Sequence, residues 1–143
     1  MKVIVLVKAS KDSEAGKMPG EVLLREMMNF NEELVKAGVM LAGEGLHPSS
    51  KGKRLVLKGA NRTFVDGPFS ATNELVAGFW IWQVKSMDEA MEWARRIPNP
   101  EHTDGEFELR PVFGEEDFGE ALTPEIREQA DRLRAQTEGQ PRS

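Results

Sequence analysis

The stretch AGFWIWQV, residues 77–84, decides the fold because it alternates as a β-strand while both of its faces are apolar. The two faces carry Phe79 and Ile81 on one side, and Trp80, Trp82 and Val84 on the other. One face should pack against helices of the same chain. The other face needs a second cover, since a large exposed apolar patch marks an interaction surface, and a partner subunit is the simplest candidate.

Five further segments predict strands, at residues 2–8, 39–47, 54–58, 62–66 and 106–113. The first is an unbroken apolar run, which is typical of a central strand covered on both faces. Gly59-Ala60-Asn61 separates two alternating segments, as the turn of a β-hairpin does. Pro111 has no N–H to donate, so the last strand is expected at a sheet edge or at a bulge.

Helices are predicted over residues 21–36, after the capping box Ser86–Glu89, and from Thr123 onward. The first has an apolar stripe of Leu23, Met27, Phe30 and Leu34. Residues 10–20 and 114–119 read as loops. This order of elements predicts an α+β, ferredoxin-like sheet with two long helices on one face. We expect one domain over residues 1–118 and a C-terminal helical tail over residues 119–143.

Composition narrows the classes of function. The 143-residue chain has no cysteine, which excludes disulfides and thiolate metal sites, and His47 and His102 lie too far apart for a local metal motif. We expect neither a metal nor a cofactor. A formal net charge of −5 argues against direct nucleic-acid binding. Nothing resembles a signal peptide or a membrane span, so a cytoplasmic protein without membrane contact is predicted.

One basic cluster departs from the acidic balance of the chain. It comprises Lys51, Lys53, Arg54, Lys58 and Arg62. Either these side chains are the solvated faces of the predicted hairpin, or they form a patch for an anion or a partner.

Three residues are candidates for proton transfer. Asp66 precedes Gly67-Pro68, and it either caps an Asx-type turn or stands at a pocket mouth as a base or polar anchor. Glu44 lies between two glycines in an apolar stretch, so it is either a structural carboxylate or a partly buried acid–base group. His47 can be a second proton-transfer group or a simply exposed loop histidine.

Three further residues are candidates for ligand binding. Thr72 follows the Asp66 turn and can help to line a pocket. Trp80 can form an aromatic pocket wall, or it can belong to the core or to a dimer interface. Arg110 in the last strand can anchor an anionic ligand, or it can be an ordinary exposed arginine.

Four blocks carry a family resemblance: LAGEGL at residues 41–46, VDGPF at 65–69, GFW at 78–80 and ELRPV at 108–112. In this order they resemble YCII-related proteins of the DGPF type, over residues 1–118. The resemblance implies a homodimeric ferredoxin-like α/β-barrel with a cleft into which Glu44 and Asp66 point. It also implies binding of, or acid–base action on, a small organic molecule in a dimer-associated pocket.

The resemblance leaves a second function open and has limits. Some relatives look associated with extracytoplasmic-function sigma factors, which implies a regulatory interaction module as the alternative. The turn of the family usually continues Ala-Glu-Thr-Lys-Glu, whereas here it reads Ser-Ala-Thr-Asn-Glu over residues 70–74. The histidine–aspartate dyad of the wider superfamily has no counterpart, because no histidine precedes His47.

Overall fold

The computed structural model of the chain describes residues 1–70 and 74–140, and they form a mixed α+β structure. Its strands are β1 (Lys2–Lys8), β2 (Met40–Gly45), β3 (Lys53–Lys58), β4 (Asn61–Asp66), β5 (Val76–Gln83) and β6 (Phe107–Pro111). Its helices are α1 (Lys11–Glu14), α2 (Glu21–Lys36), α3 (Met87–Ala94) and α4 (Pro124–Glu138). The chain divides into two units, Met1–Val112 and a second unit that begins at Phe113. The expected division into a domain over residues 1–118 and a helical tail over residues 119–143 stays a prediction.

The main sheet of the first unit has the strand order β2-β5-β1-β6, and every neighbouring pair is antiparallel. Trp80 in β5 lies opposite Val5 in β1 and opposite Gly43 in β2. Among the described residues β6 pairs with β1 alone, so the expectation that Pro111 lies at a sheet edge is confirmed.

Helices α2 and α3 cover one face of this sheet. The buried core there consists of Val3, Val5, Phe30, Leu34, Val39, Trp80, Trp82, Val84 and Ala90. Phe30 contributes an edge-to-face contact with Trp80, at 5.9 Å between ring centroids. Gly43 leaves room for the Trp80 indole, because a Cβ at this position would lie 2.8 Å from Trp80 Cδ1.

The opposite face of the sheet has an apolar centre of intermediate exposure, flanked by charged side chains at the two edge strands. It carries Ile4, Leu6, Phe79 and Ile81, all of intermediate exposure. The alternation predicted for residues 77–84 is therefore confirmed, with the tryptophans beneath the helices and Phe79 and Ile81 on the other side. We call this second side the open face.

Strands β3 and β4 form a two-stranded sheet of their own, joined by the turn Gly59–Ala60. Gly59 has φ = 60°, a left-handed conformation that glycine adopts without steric cost. All twelve strand residues of this hairpin are exposed, in keeping with the expectation of solvated faces.

Two segments expected to be loops contain short helical turns. Residues 10–20 include α1, because Ser10 and Ser13 cap each other: each backbone N–H donates to the other residue's hydroxyl. In the second unit, Glu115–Ala121 forms 3-10 turns that are interrupted at Gly119, where φ is 62°. Helix α4 follows, with the Thr123 hydroxyl accepting from the Ile126 N–H, as the sequence predicts.

No helix in the part of the chain that the structure describes is long and apolar enough to cross a membrane.

Candidate functional site

Ser49 joins three separate segments of the first unit. Its backbone N–H donates to Glu14 Oε1 at 3.0 Å, and its hydroxyl donates to Glu14 Oε2 at 2.5 Å. The same hydroxyl oxygen accepts the backbone N–H of Phe69 at 3.0 Å. The end of α1, the turn after β2 and the segment after the hairpin are thereby held together by one side chain.

The base of the hairpin is fixed against the same turn. The Gly67 N–H donates to the carbonyl of Gly52 at 3.0 Å. Gly67 also lies so close to Ser49 that a Cβ at this position would be 1.8 Å from the Ser49 carbonyl oxygen. Only glycine fits this approach without moving the backbone, which accounts for the glycine in the Asp66-Gly67-Pro68 turn.

A cavity of about 440 Å³ lies beside this junction and is open to solvent. Most of the surface that lines the cavity is apolar, and Leu46, Pro48, Phe69, Leu75 and Val76 contribute to it. The other lining residues are Glu14, His47, Ser49, Lys51, Gly52 and Arg54. The Arg54 guanidinium carbon lies 3.9 Å from the centre of the Phe69 ring, a cation–π contact that orients the charge at the cavity wall.

The hydrogen bonds from Ser49 keep Glu14 ionised. They lower the pKa of the Glu14 carboxyl below its ordinary value, first through the hydroxyl and then through the backbone N–H, while partial desolvation acts weakly in the opposite sense. A carboxylate held in this way is suited to fixing the turn and the charge of the cavity. It is poorly suited to donating a proton near neutral pH.

Of the residues predicted for proton transfer, the structure places only His47 in the cavity lining. Asp66 lies at the hairpin base, where its carboxylate accepts Lys53 Nζ at 2.5 Å and its side chain is 76% exposed. Glu44 lies opposite Phe79 at the edge of the open face, and it is exposed rather than partly buried. The reason is that β2 is an edge strand and that α2 covers the other face of the sheet. Glu44 and Asp66 are therefore not brought together with His47 around this cavity.

The residues predicted for ligand binding are dispersed. Trp80 is 6% exposed, and its Nε1–H donates to Asn31 Oδ1 at 2.9 Å, so of the alternatives considered it is a core residue. Arg110 is exposed on the open face, and its Nη1 lies 3.9 Å from Glu108 Oε2. Thr72 lies outside the described residues.

Sequence reasoning missed Glu14, Ser49 and Phe69 as partners. Glu14 and Ser49 are 35 positions apart, and neither belongs to a recognisable motif. The signals that were present were the glycine–proline turn before Phe69 and the basic cluster that contains Arg54. The first signal indicated a constrained turn and the second a local positive charge. Neither indicated that Arg54 contacts Phe69.

The described residues contain no group of three or more histidine, aspartate or glutamate side chains that could hold a metal ion. Those described residues that line the cavity supply one carboxylate, one imidazole, two cationic side chains and a hydroxyl that is already engaged. Such a set suits hydrogen bonding and charge pairing with an organic molecule.

Comparison with known proteins gives a family and one curated relative. The model of the YCII-related domain matches residues 1–116. An uncharacterised protein of Rhizobium meliloti (strain 1021) is 29% identical over 103 residues, which span 72% of this chain and 83% of that protein.

Among solved structures, the chain is similar to 5-chloro-2-hydroxyhydroquinone dehydrochlorinase from Burkholderia phenoliruptrix AC1100, determined in complex with 2,5-dihydroxybenzoquinone. The TM-score is 0.47 at 14% sequence identity, and the match covers 82% of this chain and 98% of that chain.

Proposed function

The chain belongs to the YCII-related domain family, and from that premise we propose that it binds a small organic molecule in the cavity beside Ser49. The observation that carries the proposal is the cavity itself. At about 440 Å³ it lies within the size range of small-molecule sites, roughly 300–1,000 Å³. It also combines an apolar lining with a few converging polar groups, which is the usual composition of such sites.

The side chains favour a ligand with an apolar body and an anionic or hydrogen-bond-accepting group. Arg54 and Lys51 supply positive charge at the cavity, and Arg54 is oriented by the Phe69 ring. Leu46, Pro48 and Val76 supply apolar surface. Glu14 keeps its negative charge while it holds the Ser49 turn, so Lys51 and Arg54 together outweigh it in the lining.

Acid–base action on that molecule is the further part of the proposal. His47 contributes an imidazole to the cavity lining, the side-chain type that enzymes use most often for proton transfer. Proton transfer by Asp66 and Glu44 stays a prediction, and it requires a second copy of the chain to bring these exposed carboxylates to a shared cleft. The regulatory alternative also stays a prediction, since no described feature bears on a sigma-factor partner.

For the assembly we propose a ferredoxin-like dimeric α/β-barrel. The strand order β2-β5-β1-β6 and the placement of α2 and α3 on one face support the ferredoxin-like arrangement. The apolar open face with Leu6, Phe79 and Ile81 supports closure by a second copy. An Ile81→Glu variant tests this closure, because a charge in the centre of the contact would dissociate such a dimer.

Binding is tested by screening small carboxylic acids, phenols and their neutral analogues with the ¹⁵N-labelled full chain by NMR. If the ligand binds in the cavity, the backbone amide chemical shifts should change mainly at Leu46–Gly52 and at Phe69. The Arg54→Gln variant should then bind the best acid about tenfold more weakly, a loss of about 1.4 kcal/mol. Lys58→Gln is the matched control, since Lys58 lies on the same face of β3 beyond the cavity.

Two results would contradict the proposal. One is the absence of shift changes at the cavity with any acid or phenol at millimolar concentration. The other is equal weakening by Arg54→Gln and Lys58→Gln, which would indicate general charge attraction rather than a site. If a ligand is found, His47→Gln tests the catalytic part: it should remove turnover of the ligand while leaving its affinity within about threefold.

A further inference from the structure

The β3–β4 hairpin, which we call the arm (residues 53–66), has two chemically different faces. The pairing places Leu55 opposite Phe64 and Leu57 opposite Arg62, so these side chains share one face. On that face Leu55, Leu57 and Phe64 are 46%, 61% and 70% exposed. The other face consists of Arg54, Val56, Lys58, Asn61, Thr63 and Val65. We call Leu55, Leu57 and Phe64 the apolar face of the arm.

The arm is fixed at its base, and its strand residues are exposed along its length. The Lys53–Asp66 ion pair, the Gly67–Gly52 hydrogen bond and the Arg54–Phe69 contact all lie at the end where the arm joins the rest of the first unit. In the part of the chain that the structure describes, β3 and β4 pair only with each other. An isolated two-stranded hairpin is marginally stable in water, so an arm with one apolar side needs a cover for that side.

Charge indicates what provides the cover. The arm contains four basic side chains and one acidic side chain, a formal charge of +3. Because the whole chain carries −5, the remainder carries −8. The arm is therefore complementary to the body of another copy of the same chain. Two arms would repel each other, and nucleic acid would be repelled by the acidic remainder.

We propose that the arm docks its apolar face onto the acidic body of a second copy of this chain. Leu55, Leu57 and Phe64 supply the apolar centre of the contact, while Arg62, which shares their face near the tip, pairs with carboxylates at its rim. This contact is separate from the proposed closure of the open face, and either contact can form without the other.

Photo-crosslinking in the full-length chain identifies what covers the arm. A benzoylphenylalanine replaces Phe64 in one preparation and Thr63, on the opposite face, in a control preparation. Each is mixed with an equal amount of ¹⁵N-labelled wild type, so that crosslinks between copies carry both isotope patterns. The proposal predicts crosslinks between copies from position 64, at least fivefold more abundant than from position 63. The proposal would be overturned if position 64 gave no crosslinks, or crosslinks only within one chain. Crosslinks only to co-purified nucleic acid or to another protein would overturn it as well.

Sedimentation equilibrium separates this contact from the closure of the open face. Leu57→Ser and Phe64→Ser should each raise the dimer dissociation constant at least tenfold, while the control Val56→Ser, on the opposite face, should change it less than threefold. Raising the salt concentration from 50 to 500 mM should also weaken the dimer. The arm contact would be overturned if Leu57→Ser, Phe64→Ser and Val56→Ser all had the same dimer dissociation constant. If Ile81→Glu disrupted that dimer, the result would support closure through the open face alone. A wild-type chain that stays monomeric at high concentration would overturn both.

Discussion

The carboxylate of Glu14 accepts both the backbone N–H and the hydroxyl of Ser49, at 3.0 Å and 2.5 Å, across 35 positions of sequence. Two hydrogen bonds to one ionised group fix both the position and the orientation of the turn after β2. Since the Ser49 hydroxyl also receives the Phe69 N–H, the cavity wall that carries Phe69 depends on the same contact. The architecture of the candidate site therefore rests on this pair and on the close approach of Gly67 to Ser49, rather than on the Asp66 carboxylate.

Removing the Ser49 hydroxyl should destabilise the first unit. Ser49→Ala removes the donor to Glu14 and leaves the partly buried Phe69 N–H without its acceptor, at a cost of about 2 kcal/mol. Urea unfolding followed by tryptophan fluorescence measures this. Ser50→Ala, at the exposed neighbouring position, is the control and should change the free energy of unfolding by less than about 0.5 kcal/mol. A similar loss in both variants would contradict the role given to Ser49.

The Glu14–Ser49 pair also predicts a pH dependence. In the folded chain the pKa of the Glu14 carboxyl lies below its ordinary value of 4.5, because it accepts the two Ser49 hydrogen bonds. The stabilisation it provides is therefore complete above pH 4.5 and is lost as the pH falls through the lower, folded-state pKa. The difference in unfolding free energy between wild type and Glu14→Gln should shrink from pH 7 to pH 3. In a Ser49→Ala background the pH dependence of that difference should largely disappear, and its persistence would contradict this origin.

Much of the fold followed from periodicity in the sequence. The bounds predicted for β1 and α2 coincide with Lys2–Lys8 and Glu21–Lys36, because each segment has an uninterrupted pattern with clear ends. The one-turn helix α1 was missed, since it depends on a reciprocal cap between Ser10 and Ser13 rather than on an apolar stripe. Local hydrogen bonds of this kind leave little trace in hydrophobic patterning.

Gly67 should not tolerate a side chain. In Gly67→Ala the new Cβ would lie 1.8 Å from the Ser49 carbonyl oxygen, so the backbone on one side must move, at a cost of about 3 kcal/mol. Thermal unfolding measures the loss. The matched control is Gly45→Ala, where a Cβ would meet nothing within 4 Å. A Gly67→Ala variant as stable as Gly45→Ala would show that the approach of Gly67 to Ser49 is not required.

The candidate site was less predictable than the fold. The Asp66-Gly67-Pro68 turn attracted attention to its carboxylate, whereas in the structure the glycine makes the close approach and Asp66 pairs with Lys53 in solvent. Glu14 is brought to Ser49 by the placement of α1 beside the turn after β2, which is a tertiary relationship. A single sequence gives no signal for a pairing between two ordinary polar residues so far apart.

The hydrogen bond from Trp80 to Asn31 should make a measurable contribution to the core. Trp80 is 6% exposed, and its Nε1–H donates to Asn31 Oδ1 at 2.9 Å from α2. Asn31→Leu leaves this donor buried without an acceptor, which should lower the free energy of unfolding by about 1–3 kcal/mol in urea. Asn29→Leu, at an exposed position of the same helix, should change it by less than about 0.5 kcal/mol. Equal effects of the two variants would mean that the Trp80 indole finds another partner, and that packing against Phe30 is sufficient to hold it in place.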